Sequence, residues 1–152
     1  MSYDATLGGG GWTVGDIKPP VQGATGFPTA GTAGYPSGAT PVNSFPANGA
    51  NSSVVATLPA AAGKTTYLTG VDISYGGATA AALGGLTLGG LLNGNPAYIV
   101  PVPAGAALGG QMSLRFPVPI PASAANTAIT ATLSALGAGN AAAMVAAYGF
   151  QL

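Results

Sequence analysis

Hydrophobic and polar positions alternate most regularly between Val54 and Tyr75, in VVATLPAAAGKTTYLTGVDISY. Tyr67, Thr69, Val71, Ile73 and Tyr75 are mostly bulky or β-branched, and Thr66, Leu68, Gly70, Asp72 and Ser74 stand between them. A period of two marks a strand with one covered face. The stretch therefore predicts two strands, 53–58 and 65–75, joined through Pro59 and the loop AAAGK and closed by Gly76-Gly77. Further along, 86–92 and 97–102 read as a hairpin across Asn93-Gly94, with a loop lengthened by Asn95-Pro96. In 111–116, Met112, Leu114 and Phe116 share one face, and Ser113 and Arg115 the other. Over 127–134, Ile129, Ala131 and Leu133 alternate with Ala128, Thr130 and Thr132. Over 141–150, Met144, Ala146, Tyr148 and Phe150 fall on a common face. Seven to eight short strands in about a hundred residues predict an all-β fold, a jelly-roll-like β-sandwich.

Helix competes for the alanine-rich end, since alanine is the best helix former. Gly137 and Gly139, the threonines at 127, 130 and 132 and the lack of charged pairs on a helical face favour strand, with one short helix left open. Pro117, Pro119 and Pro121 in FPVPIPAS cannot donate to a ladder, so this segment is expected to run as a stiff crossover between strands. As a proline-motif ligand it is the weaker reading, since a single base, Arg115, flanks it. Glycine pairs at 76, 84, 89 and 109 follow no fixed period, and strand–turn boundaries account for them better than a fibrous repeat does.

Composition shifts near Ser53. Residues 1–52 hold 11 Gly and 6 Pro, against 15 and 7 in the hundred that follow. A segment so rich in both cannot bury enough apolar surface to offset its ordering entropy, which predicts an extended N-terminal arm over 1–52 and a β-sandwich over 53–152. Trp12 follows the run Gly8 to Gly11, and Phe27-Pro28, Tyr35-Pro36 and Phe45-Pro46 recur at intervals of 8 and 10 residues. Proline biases the preceding residue toward extended backbone. Trp12, Phe27, Tyr35 and Phe45 are thus candidate anchors that an arm drops one by one into a partner.

Charge narrows the partners. The chain has three acids, Asp4, Asp16 and Asp72, three bases, Lys18, Lys64 and Arg115, and no net charge. Only 4% of it is charged, where a typical domain has about a quarter. Near-zero net charge removes the repulsion that keeps proteins apart, so much of this surface is expected to meet other protein. Three bases are too few to track phosphates, which argues against nucleic acid. The most apolar stretch, ATAAALGGLTLGGLL at 78–92, is too short and too glycine-broken for a membrane span. The start, MSYDATLGGGG, has neither the basic nor the apolar region of a secretory signal, which predicts a chain kept inside the cell until assembly.

Chemistry is hard to assemble from this inventory. Without cysteine or histidine there is no thiolate, no disulfide and no ordinary general base near neutral pH. A carboxylate pair would have to come from Asp4, Asp16 and Asp72, two of which lie in the arm. Gly63-Lys64-Thr65 resembles the end of a phosphate-binding loop, but the first glycine of that motif would fall at Leu58, so Lys64 reads as a solvated loop residue. The expectation is a protein without enzymatic activity, cofactor or metal. Asp72 and Arg115 are the only opposite charges in predicted strands, and on neighbouring strands they would form a candidate interface pair.

Three stretches, LPAAAGKTTYLTG at 58–70, FPVPIPAS with NTAITATL within 116–133, and GAGNAAAMVAAYGFQL at 137–152, resemble a family of small structural proteins of tailed bacteriophages. The resemblance spans 56–152, excludes the arm and departs around 80–95. It implies a jelly-roll virion protein, a homotrimer that decorates or cements the capsid surface by binding the major capsid protein, after synthesis in the host cytoplasm. The alternative is a head- or tail-fibre module whose aromatics bind a host-surface glycan; an adhesin or surface-layer module is disfavoured by the missing signal.

Overall fold

The computed structural model describes residues 35–48, 51–105 and 107–152. The chain divides into two units, Met1–Ala39 and Thr40–Leu152. In the described part of the first, the Ala39 N–H donates to the Pro36 carbonyl and closes a turn at 3.1 Å.

The second unit is a β-sandwich without helix among its described residues. Its strands are β1 (Thr40–Ser44), β2 (Ala47–Asn48), β3 (Val54–Leu58), β4 (Thr66–Gly76), β5 (Ala82–Gly89), β6 (Ala97–Val102), β7 (Gly109–Pro121), β8 (Ile129–Leu133) and β9 (Ala143–Gln151). One sheet has the order β1-β9-β4-β7, with β2 also on β9; the other has the order β3-β8-β5-β6. Every ladder between these strands is antiparallel. Ser44 pairs with Ala147 and Ala47 with Met144, so β1 and β2 are one edge strand kept in register across Phe45-Pro46. Pairings then nest: β1 with β9, β3 with β8, β4 with β7, β5 with β6. The unit is one long hairpin folded over into two layers.

Alternating side chains fill the space between the layers, as an antiparallel sheet with one covered face requires. Val54, Ala56 and Leu58, then Leu86 and Leu88, then Ile129, Ala131 and Leu133 come from one sheet; Leu68, Val71, Ile73, Val145 and Ala147 come from the other. Burial offsets their ordering entropy at about 25 cal/mol per Å² of apolar surface. Buried polar groups have partners. Gln151 Nε2 and Thr66 Oγ1 both donate to the Pro59 carbonyl, at 2.6 and 3.0 Å, and Asn140 Nδ2 reaches the carbonyls of Gly76 at 2.7 Å and Ala142 at 3.2 Å.

Several expectations need correction. The sandwich begins at Thr40, within the stretch assigned to the arm, because β1 and β2 cover the β9 edge. In β4 the inward parity changes: Thr66 and Leu68 point in, then Val71 and Ile73, with the ladder shifting between Leu68 and Gly70. The strand expected over 86–92 is Ala82–Gly89, starting four residues earlier and ending three earlier, because Gly84-Gly85 is strand, not turn. Leu136 packs over Gly84, and an added Cβ would come within 2.6 Å of it. FPVPIP belongs to edge strand β7. Its prolines still break the ladder: Gly70 pairs with Arg115 and Leu68 with Ile120, leaving Phe116 to Pro119 bulged opposite a single residue. On β9 the face of Met144, Ala146 and Tyr148 turns outward, and Ala143, Val145 and Ala147 face the core.

Candidate functional site

The two outer faces of the sandwich differ in kind. On the β3-β8-β5-β6 sheet, the outward positions are Val55 and Thr57, Thr130 and Thr132, Leu83, Gly85 and Thr87, and Ala97, Ile99 and Pro101. None of them ionises. Leu83 is 75% exposed, Ile99 69% and Val55 44%, so this is a broad, uncharged surface with its large aliphatics in solvent.

The outer face of the β1-β9-β4-β7 sheet holds what ionic chemistry the sandwich strands have. Register sets Asp72 opposite Ser113 on β7 and Ala146 on β9, and Gly70 opposite Arg115 and Tyr148. Gly70 makes the arrangement fit, since an added Cβ would lie 2.9 Å from Arg115 Nη1 and 3.0 Å from the Leu114 carbonyl. Arg115 therefore lies across Gly70. Its Nη2 donates to Asp72 Oδ2 at 2.7 Å, and its guanidinium sits 5.3 Å from the centre of the Tyr148 ring. Ser113 Oγ donates to Asp72 Oδ1 at 2.6 Å. Tyr148 in turn takes Phe45 edge-on, ring centres 5.5 Å apart.

Electrostatics follow the geometry. The Arg115 hydrogen bond, helped by Ser113 and Tyr148, holds the Asp72 carboxyl below the usual carboxylate range. Arg115 is raised by the same bond, and Tyr148 is raised chiefly by desolvation, then by Asp72. At 58% and 31% side-chain exposure the ion pair is solvated, and pairs of that kind contribute about 0–1 kcal/mol. Beside it, the small Ala146 leaves a shallow cleft of about 310 Å³ between Phe45, Met144, Ser74, Gln111 and Ser113.

The structure thus brings Asp72 and Arg115 together and adds Ser113, Tyr148 and Phe45 to them. Phe45 belongs to the sandwich edge, not to a free arm; Tyr35 lies in the first unit, half-buried, and Trp12 and Phe27 lie outside the described residues. Ser113 and Tyr148 escaped the sequence reading because only the register shows that they face Asp72. Lys64 sits in the β3–β4 loop with Nζ donating to Thr40 Oγ1 at 3.0 Å. No group of three metal-ligating side chains occurs among the described residues. No helix among them is long and apolar enough to cross a membrane. No family model matches the chain, and no curated protein is significantly similar to it.

Proposed function

We propose that this chain is a structural virion protein that decorates and cements a bacteriophage capsid, acting as a homotrimer on the major capsid protein. The observation that carries the reading is the uncharged outer face of the β3-β8-β5-β6 sheet, with Leu83, Ile99 and Val55 exposed on it. Such a face gains by meeting protein: apolar area leaves water, and no ion is desolvated. Symmetric repetition over a shell multiplies a modest contact into tight retention. With β1 and β2 counted as one, nested pairing gives two sheets of four strands, which supports the jelly-roll form of the sandwich. In this reading the Gly/Pro-rich residues ahead of β1, with Trp12 and Phe27, are the anchoring arm.

The test uses shells assembled without the protein. Purified wild type is expected to bind them at many sites over the surface, and to stay bound when salt is raised, because the contact is not ionic. The double variant Leu83→Lys, Ile99→Lys should keep its unfolding midpoint and lose at least tenfold in shell binding. Wild-type binding by that variant, release by salt, or occupancy confined to one vertex would overturn the proposal.

A further inference from the structure

Beside the ion pair, the cleft of about 310 Å³ is near the lower end of sizes that take small ligands. Its charges are already matched. Asp72 receives Arg115 on one oxygen and Ser113 on the other. An ionic ligand would have to break that pair, whereas an uncharged one can keep it and use the remaining lone pairs of the carboxylate, which is fixed in place by its two donors.

The walls are unlike each other. One is apolar: Phe45, 53% exposed and held by the edge contact with Tyr148, stands with Met144 along the β9 side. The other is a row of hydrogen-bonding groups, Asp72 and Ser74 on β4 with Ser113 and Gln111 opposite them on β7. A ligand that fits both has one face of C–H groups to lie on an aromatic ring and an edge of hydroxyls to donate and accept. Neutral sugar rings have that form. An exposed phenylalanine on a sheet edge does nothing for the core, and here it is oriented beside the acceptor groups a sugar needs.

We infer that this cleft binds an uncharged carbohydrate ring, with Phe45 as the stacking platform and Asp72, Ser113 and Gln111 as hydroxyl partners. The inference stands on the cleft and not on the capsid reading. It is tested with the full chain in solution by following backbone amide resonances while methyl glycosides of glucose, galactose, mannose and N-acetylglucosamine are added. At least one is expected to give saturable shifts, at millimolar concentration, confined to Phe45, Asp72, Ser113, Gln111 and Tyr148. Phe45→Ala and Gln111→Ala should each weaken that binding at least fivefold with unchanged unfolding midpoints, and Asp72→Asn at least tenfold. Absence of saturable shifts with all four sugars, shifts elsewhere on the sandwich, or undiminished binding by Phe45→Ala would overturn it.

Discussion

At Gly149, on β9, an added methyl group would run into the Tyr67 carbonyl oxygen and come within 2.8 Å of Leu58 Cδ1. Backbone cannot swing aside as a side chain can, so Gly149→Ala is expected to destabilise the sandwich by about 1–3 kcal/mol, read as a lower urea midpoint. Gly84→Ala provides the contrast, because its obstacle is the far end of the Leu136 side chain and not backbone. Asp72 offers a prediction in pH. Its carboxyl is held below the ordinary value of 3.8, so its contribution is full above that value and is lost as pH falls beneath it. The stability gap between wild type and Asp72→Asn, about 0–1 kcal/mol, should therefore close in acid, as paired urea titrations would measure. Individual core positions were legible on β3 and β8, but not on β9, where the face grouped from the sequence turned outward, nor through the parity change of β4. Ile129, Ala131 and Leu133 announced themselves by alternation, whereas Gly70 did not, since its role depends on what lies across the ladder.

Strand β7 sits at a sheet edge, and Pro117 and Pro119 fall in its bulge. Edges present unpaired backbone groups to other chains, and prolines and bulges blunt them. Replacing both prolines by threonine should change stability by less than about 0.5 kcal/mol yet raise concentration-dependent association, as light scattering would measure. Elements were readable in proportion to their hydrophobic contrast. The expected 97–102 strand coincides with β6, and β3 and β8 were found within a few residues of their ends. TPVNS of β1 offers one aliphatic valine, so it read as arm, and the prolines of β7 read as a connection because period and donor count cannot tell a bulged edge from a crossover.

For the molecule as a whole, the boundary at Thr40 has a direct test. A chain starting there retains every ladder of the sandwich and is expected to unfold cooperatively. One starting at Ser53 lacks β1 and β2 and bares the β9 edge, including Phe150, which lies opposite Pro41 and is buried. That second truncation should cost about 2–5 kcal/mol, the range of a large core deletion, in a urea titration of the two side by side. Sandwich architecture could be read from alternation and turn residues alone; which strand neighbours which could not, because pairing is set by contacts between distant segments.

Thr40 finds its partner in Gln151, and β9 lies between β1 and β4. A ribosome making this chain therefore delivers the first edge of the sheet long before the strand that must be slotted in beside it. Until Ala143–Gln151 emerges, that sheet lacks its middle, and the earlier strands wait with their inward faces wet. Closure of the sandwich then waits on β9, slowed by the long loops it has to close and exposed to aggregation in the interval.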